Sequence, residues 1–185
     1  MKKYIKDFVK NYVSTKCNKY LEKTMNNKKQ RKKLYCDIDS TINNHWERIH
    51  RWSNNGICNW EKALSRDEIM KDEVLPGVIE KLTKLSEEYE IHFLTARNFV
   101  DAYNITKDWL DLKGIKYESI NVVKKSKDKP EFLSNNGCDL FIDDLSTDQE
   151  KGPSYINLYN ETIKDLENRK INYIIFKGNW SDVNV

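Results

Sequence analysis

Residues 33–41 read KLYCDIDST, a short apolar run that leads into two aspartates, a serine and a threonine. A short apolar run bounded by polar residues is typical of a buried strand. In an open parallel sheet, ligands bind beyond the carboxyl ends of the strands. The stretch therefore predicts a first strand over residues 33–37 with functional side chains at its end.

Downstream of this strand, the sequence alternates between helix and strand patterns. Amphipathic spacing, with Pro or Gly near the ends, predicts the helices, and short apolar runs predict the strands. The predicted helices cover 77–88, 99–113, 130–136 and a last one capped by Ser154, and the predicted strands cover 91–94, 117–123, 140–142 and 173–176. This alternation predicts an α/β fold: a Rossmann-like parallel sheet of about five strands with helices on both faces.

Charge divides the chain near residue 33. Residues 1–33 hold 12 Lys and Arg against 2 Asp and Glu, whereas the rest of the chain holds 20 against 27. Apolar residues at three- and four-residue steps predict that residues 1–33 form a basic N-terminal helix and a linker, with the linker at residues 26–33, which have no apolar residue. Two interpretations of this helix stay open: its apolar stripe packs on the rest of the protein, or its basic face binds nucleic acid.

Composition predicts one globular domain for residues 34–185. No apolar run approaches the roughly 20 residues that a membrane-spanning helix needs, so no membrane partner is expected. The basic N-terminus lacks the apolar segment of a signal peptide, and the four cysteines show no metal-binding spacing. These features predict a cytoplasmic protein with free thiols and leave its oligomeric state open.

Three of the predicted strands run into polar side chains. Because parallel strands end at the same edge of a sheet, we expect these side chains to meet. Clustered carboxylates repel one another, and a cation with oxygen ligands relieves that repulsion; Mg²⁺ is usual where phosphate also binds. The three groups, in chain order, are Asp37 with Asp39, Thr95 with Ala96 and Arg97, and Asp143 with Asp144.

Such a cluster predicts phosphoryl transfer. A carboxylate such as that of Asp37 can attack phosphorus, and a second one such as Asp39 can protonate the leaving oxygen and later activate water. The Thr95 hydroxyl, nearby backbone N–H groups and a lysine can hold the phosphoryl oxygens. Each element alone is common at strand ends, but their joint appearance in this order is specific.

Asp37-Ile-Asp-Ser-Thr, Phe93-Leu-Thr-Ala-Arg97, a lysine and Phe141-Ile-Asp-Asp144 together resemble the four-motif pattern of the haloacid-dehalogenase (HAD) superfamily of phosphatases. The resemblance covers residues 34 to about 176. Thr106-Lys-Asp-Trp109-Leu110 is similar to a motif of the 5′-nucleotidase and deoxyribonucleotidase branch. Ser40 departs from the pattern, because many relatives have glycine there, and it must adopt the same turn with less backbone freedom.

The resemblance implies a role for each motif residue. Asp37 resembles the nucleophile and Asp39 the general acid/base, and Thr95 with Ala96 resembles the phosphate-binding segment. Asp37, Asp39, Asp143 and Asp144 are the implied Mg²⁺ ligands, with either of the last two as the direct contact. The lysine is one of Lys124, Lys125, Lys127 and Lys129; we favour Lys129, which opens the short helix before the fourth motif.

In this superfamily an insertion after the first motif forms a cap, and residues 42–75 have the position and size of a small helical cap. Its tryptophans can stack a nucleobase, and its basic residues can reach a phosphate or a sugar. The alternative is that the tryptophans form the insertion's own small core. The candidate substrate contacts are Trp46, Arg48 and Trp52 here and Arg97 beside Thr95, and Trp60 belongs to the same group of tryptophans.

The expected function is therefore Mg²⁺-dependent hydrolysis of a phosphomonoester through an aspartyl-phosphate, acting on nucleoside 5′-monophosphates. One alternative is a polynucleotide 3′-phosphatase whose basic N-terminal segment holds a nucleic-acid strand. Another is an inactive HAD-like protein that binds nucleic acid, although the intact acidic set argues against it. A protein substrate also stays open.

Overall fold

A parallel sheet forms the centre of this computed structural model, which describes residues 31–147 and 157–185. The sheet has five strands in the order β5-β4-β1-β6-β7, all parallel, and β2 and β3 form a separate antiparallel pair. The strands are β1 Lys32–Cys36, β2 Ser53–Asn54, β3 Ile57–Cys58, β4 Tyr89–Thr95, β5 Ser119–Val122, β6 Leu140–Asp143 and β7 Tyr173–Ile175. The predicted Rossmann-like sheet is confirmed.

Helices cover both faces of this sheet. In chain order they are α1 His45–Arg51, α2 Trp60–Ala63, α3 Arg66–Ile69, α4 Val78–Leu85, α5 Ala102–Leu112, α6 Lys129–Asn136 and α7 Asn160–Asn168. Short 3₁₀ turns occupy Ser126–Asp128 and Trp180–Asp182. The described helices include none that is both long and apolar enough to cross a membrane.

Alternation along β1 decides which helices pack on which face. Leu34 and Cys36 point into a core that also contains buried residues of α4, α5 and the C-terminal 3₁₀ turn. Tyr35 points the other way, into a second core with Leu133 of α6 and Leu166 of α7. Because β1 is buried on both faces, its near-continuous apolar sequence is the pattern that a central parallel strand requires.

The α5 helix begins later than its sequence pattern predicts. The apolar spacing starts at Phe99, yet the helix starts at Ala102 because Asp101, the residue before it, has φ 62°. A non-glycine residue in that region of backbone space ends a regular segment. Residues 98–100 therefore form a loop after β4, and Phe99 lies in that loop rather than on a helix.

Two predicted features lie outside the described residues. The basic N-terminal helix and linker belong to residues 1–33, of which only Arg31, Lys32 and Lys33 are described, and Ser154 lies in the gap 148–156. From Lys32 onward the described residues belong to one unit.

Candidate active site

The carboxyl ends of β1 and β6 bring three buried aspartates together. Asp37 follows β1, Asp143 ends β6 and Asp144 follows it. One carboxylate oxygen from each of the three lies within 4.8 Å of the other two. The Asp37 N–H donates to the carbonyl of Ile142 at 2.8 Å, so the strand pairing itself sets this register.

Lys129 supplies a positive charge inside this trio. It opens α6 and is buried, and its Nζ lies 2.6 Å from Asp37 Oδ1 and 2.7 Å from Asp143 Oδ2. Lys124, Lys125 and Lys127 of the preceding loop are exposed. The structure therefore brings to the aspartates the lysine that the sequence favoured.

The loop after β1 is held by contacts from distant parts of the chain. The Thr41 hydroxyl accepts from the Asp144 N–H at 3.0 Å, and the Thr41 carbonyl accepts from the buried indole N–H of Trp180 at 2.8 Å. Ser40 has φ 64°, the left-handed region in which glycine is usual. Its hydroxyl lies 3.0 Å from His45 Nδ1, and this contact holds the turn in place.

Arg97 forms a two-pronged ion pair with Asp39. Its Nε and Nη2 donate to the two carboxylate oxygens at 2.8 and 2.7 Å, and its Nη1 donates to the Thr106 hydroxyl at 3.0 Å. Burial works against ionisation of Asp39, but the Arg97 charge and hydrogen bonds outweigh it and hold the pKa of this carboxyl well below its usual range. Arg97 thus contacts the predicted acid/base.

A buried polar network fastens the insertion to the sheet domain. Arg48 Nε donates to Asp72 at 3.0 Å, and Asp72 also accepts from the Asn43 side chain at 2.9 Å. The indole N–H of Trp109 on α5 donates to the Asp72 carbonyl at 3.0 Å. Arg48 Nη1 donates to the Ala63 carbonyl, and Arg48 Nη2 lies 3.6 Å from Asp39 Oδ1. Arg48 is therefore a buried link between the insertion and Asp39, the predicted acid/base.

One cleft of about 260 Å³ is lined by Asp37, Asp39, Lys129, Asp143 and Asp144. Thr95 and Ala96 line it at the end of β4. The insertion contributes His45, Arg48, Ile49, Trp60 and Leu64, and Phe99, Ser126 and Tyr159 complete the wall. Trp60 and Phe99 bring aromatic rings to the cleft, and Trp60 is about half exposed.

Two of the candidate substrate contacts lie elsewhere. Trp52 packs against the small core of Ile49, Cys58 and Ala63, and Trp46 packs edge-on against His50. Neither is among the described residues that line the cleft. A small helical segment needs a large apolar side chain at its centre, and in this insertion Trp52 fills that place instead of lining the cleft.

The donor set fits a hard divalent cation. Three buried carboxylates with a single lysine among them leave negative charge that another cation would balance, and Mg²⁺ prefers carboxylate oxygen. The Asp39 carboxylate lies outside this trio and pairs with Arg97. The sequence also predicts Asp39 as a Mg²⁺ ligand, and that assignment stays a prediction.

Burial also shifts the protonation of the trio. Burial raises the pKa of Asp37 to about 7. The charge of Lys129 opposes this rise, and the charge of Asp143 adds to it. Burial, followed by the charges of Asp143 and Asp37, raises the pKa of Asp144 well above its usual value. Burial alone would lower the pKa of Lys129, but Asp143 and Asp37 outweigh it and raise that pKa. Lys129 therefore stays charged.

These shifts predict how stability changes with pH when metal is removed. Asp37 and Asp144 bind protons more tightly in the folded protein than in the unfolded chain. Between about pH 4 and pH 7 the unfolded chain therefore carries fewer protons than the folded protein, and the free energy of unfolding falls as the pH rises. With EDTA present, we expect Tm to drop by about 5 °C or more between pH 5 and pH 7. Thermal melts of wild type and Asp37→Asn at both pH values measure this; equal drops in the two proteins would contradict it.

Sequence reasoning missed several residues of the site, among them Phe99, Asp72 and Ser126. Phe99 was placed in a helix, Asp72 carried no motif, and Ser126 lies in a loop of lysines. Thr106 and Trp109 were recognised only as a motif, and the structure shows their contacts with Arg97 and Asp72. The spacing of Thr106 and Trp109, which puts both on one face of α5, was the available signal.

Comparison with known proteins supports the fold. No protein-family model and no curated protein matches the chain. The class C acid phosphatase of Bacillus anthracis, with tungstate bound, aligns at 20% identity over 91% of this chain and 74% of that chain, with a TM-score of 0.52. A haloacid dehalogenase-like hydrolase from Streptococcus pneumoniae aligns at 14% identity over 80% of this chain and 95% of that chain, with a TM-score of 0.49.

These similarities are to the fold. The chain shares the α/β architecture of the acid phosphatase, and a HAD-superfamily hydrolase from Geobacter sulfurreducens PCA aligns at 14% identity over 78% of this chain and 88% of that chain, with a TM-score of 0.49. The structural neighbours are thus HAD-type hydrolases and phosphatases. None of the three is named as a 5′-nucleotidase, and that branch stays a prediction.

Proposed function

We propose that the protein is a Mg²⁺-dependent phosphomonoester hydrolase that acts through an aspartyl-phosphate on Asp37. The observation that carries the proposal is the buried trio of Asp37, Asp143 and Asp144 around Lys129, at the carboxyl ends of β1 and β6 and open to a cleft. That edge is where a parallel α/β sheet binds its ligands. A structural ion pair alone does not require three buried carboxylates for one lysine.

In the first step, an oxygen of Asp37 attacks phosphorus and the bond to the leaving oxygen breaks. Lys129 and the Thr95 hydroxyl, with the Ala96 backbone, hold the phosphoryl oxygens as charge develops on them. Asp39 gives a proton to the leaving oxygen. Bound Mg²⁺, held by Asp37, Asp143 and Asp144, would supply charge neutralisation at these oxygens.

In the second step, water attacks the phosphorus of the aspartyl-phosphate, and Asp39 takes the proton that this water loses. Inorganic phosphate leaves and the Asp37 carboxylate is restored. The Arg97 ion pair keeps Asp39 ionised, which suits its action as a base. For Asp39 to act as an acid in the first step, substrate binding must weaken that ion pair.

The cleft favours a nucleoside 5′-monophosphate as substrate. Two aromatic residues, Trp60 and Phe99, line the cleft together with the basic residues His45 and Arg48. Aromatic rings stack on nucleobases whatever the base, at about 1–3 kcal/mol for each stacked base. A nucleotide with its phosphate at the aspartates would use both the polar and the aromatic lining.

Trp60→Ala tests the stacking contact. We expect KM for nucleoside 5′-monophosphates to rise about tenfold, because the variant loses a stacking surface. KM for ribose 5-phosphate, which has no base, should change less than about twofold on the same reasoning. Steady-state phosphate release measures both, and Trp46→Ala, which changes a tryptophan outside the cleft, is the control. Equal effects of Trp60→Ala on the two substrates would contradict a stacking role.

The proposed activity itself is tested by a substrate panel. Phosphate release is measured from nucleoside 5′- and 3′-monophosphates, phosphoserine and a 3′-phosphorylated oligonucleotide, with Mg²⁺ and with EDTA. Metal-dependent release, fastest from the 5′-monophosphates, is the expected result. Fastest release from the oligonucleotide would favour nucleic-acid end processing, and no release from any substrate would refute the proposal.

A further inference from the structure

Asp72 is a buried carboxylate near the end of the insertion of residues 42–75, and it is not among the described residues that line the catalytic cleft. Arg48 Nε donates to its Oδ1 at 3.0 Å, and the Asn43 side chain donates to its Oδ2 at 2.9 Å. Its backbone carbonyl accepts from the Trp109 indole at 3.0 Å. All three partners are buried as well. Asp72 is therefore held in place without forming part of the cleft wall.

The two side chains that Asp72 holds also approach Asp39, the predicted acid/base. Asn43 Nδ2 lies 3.4 Å from Asp39 Oδ1, and Arg48 Nη2 lies 3.6 Å from the same oxygen. The Asn43 side-chain carbonyl also accepts from the Ser40 N–H at 3.1 Å, next to Asp39 in the loop after β1. Asp72 is therefore connected to Asp39 through two side chains, one of them an arginine.

Two aspartates and two arginines share this cluster. Arg97 pairs with Asp39 at 2.7 Å, and Arg48 pairs with Asp72 at 3.0 Å. Arg48 is thus closer to Asp72 than to Asp39, from which it is 3.6 Å away. A buried charge that loses its partner is costly, so without the Asp72 charge Arg48 would pair with Asp39 instead. The Asp72 carboxylate therefore keeps a second arginine from closing on Asp39.

We propose that Asp72 is a positioning residue for proton transfer to the leaving group. It holds Arg48 back, so that Asp39 has one close guanidinium partner instead of two and can reach the leaving oxygen. The inference rests on the proposed phosphomonoesterase function, in which Asp39 donates that proton. Proton transfer needs a contact of about 2.6–3.2 Å between heavy atoms. A carboxyl gripped by both Arg48 and Arg97 would be pulled toward the insertion and would lose that contact.

The test uses two substrates that differ in the leaving group. Adenosine 5′-monophosphate releases an alcohol oxygen that needs a proton, whereas dinitrophenyl phosphate releases a phenolate that is stable without one. Departure of the leaving group contributes to kcat/KM, and the later hydrolysis of the aspartyl-phosphate does not. In Asp72→Asn, we expect kcat/KM for the adenosine nucleotide to fall at least about tenfold, because misplacement loses part of the roughly 10²–10⁴-fold that general acid catalysis supplies. For dinitrophenyl phosphate, kcat/KM should fall less than about threefold.

Asp108→Asn is the matched control. It breaks the exposed ion pair at 2.7 Å between Arg66 on α3 and Asp108 on α5, which also joins the insertion to the sheet domain. The ratio of the two kcat/KM values should stay at its wild-type level in this variant, because the pair does not reach Asp39. A shift in Asp108→Asn as large as that in Asp72→Asn would show that any loosening of the insertion has this effect, and would overturn the proposal.

Two further variants test the route through Arg48. In Asp72→Asn/Arg48→Met the second guanidinium is absent, so the ratio should return to within about threefold of that of Arg48→Met alone. Trp109→Phe keeps a ring in the core but removes the donor to the Asp72 carbonyl. It should shift the ratio about threefold in the same direction as Asp72→Asn, and it decides the matter if Asp72→Asn does not fold.

Equal falls in kcat/KM for the two substrates in Asp72→Asn would overturn the positioning role and leave the phosphatase standing, because a structural role does not distinguish leaving groups. A crystal structure of Asp72→Asn gives a readout that does not depend on activity. In it Arg48 should lie within hydrogen-bond distance of Asp39, and an Arg48–Asp39 separation that stays near 3.6 Å would overturn the proposal. If the wild type hydrolyses neither substrate, the proposed function fails, and the crystal structure still decides whether Asp72 restrains Arg48.

Discussion

Asp37→Asn is expected to abolish phosphate release, by at least about 10⁴-fold in kcat, because an amide oxygen does not form the covalent phosphoryl intermediate. The fold should survive, since the introduced amide keeps an oxygen facing Lys129, and Asp143 remains as the second partner of that ammonium group. The measurement is steady-state phosphate release beside circular dichroism and thermal melts. A kcat within tenfold of wild type would exclude Asp37 as the nucleophile.

A matched control and a chemical readout sharpen this experiment. Asp165→Asn changes a partly exposed aspartate on α7 that pairs with Arg169, and it should match wild type in release. Acid quenching of the wild type during turnover, followed by peptide mass spectrometry, should find a phosphoryl adduct on the peptide that contains Asp37. A phosphoryl adduct on another residue would identify that residue as the nucleophile instead of Asp37.

Lys129→Met is expected to lower both activity and stability. Loss of one preorganised charge at the phosphoryl oxygens costs about 10²–10³-fold in kcat. With EDTA, the variant also leaves Asp37, Asp143 and Asp144 buried without their cation, and breaking such a pair costs about 3–5 kcal/mol of unfolding free energy. Added Mg²⁺ should recover part of the stability, because it supplies positive charge to the three aspartates. It should not recover the activity, because it does not take the position of the Lys129 ammonium group at the phosphoryl oxygens.

Melts and phosphate release with EDTA and with Mg²⁺ measure both effects. Lys124→Met, in the same loop but exposed, is the control and should behave as wild type in both assays. An unchanged Tm for Lys129→Met in EDTA would show that the three aspartates are protonated or hydrated and do not depend on this lysine. Unchanged kcat would remove Lys129 from the proposed mechanism.

The sheet and the acidic trio could be predicted because they depend on short-range signals. A buried parallel strand needs a nearly continuous apolar run, and its end is marked by the first polar residues, as at Asp37 and Asp143. Parallel pairing then requires these ends to meet. Lys129 was distinguishable from its neighbours because it starts an α-helix immediately before β6, whereas the other loop lysines come before that helix begins.

The insertion could not be predicted in the same way. Its helices have only four to seven residues, too few for a hydrophobic period to show which side faces the cleft. Trp52 and Trp60 both lie in this insertion, yet Trp52 packs against Ile49 and Trp60 lines the cleft. The role of Asp72 depends on Arg48 and Trp109, both distant in sequence, and no local pattern contains that information.

The bond between the Trp180 indole and the Thr41 carbonyl has a consequence for biosynthesis. The ribosome makes β1 and its acidic loop early, but the strands that flank β1 and the tryptophan that holds its loop are translated later. While Trp180 is still inside the ribosome, the proposed nucleophile Asp37 is already made but its loop lacks this hydrogen bond. Catalytic competence should appear late in translation, and a chain truncated after Lys177 should be inactive although it retains every residue of the acidic trio.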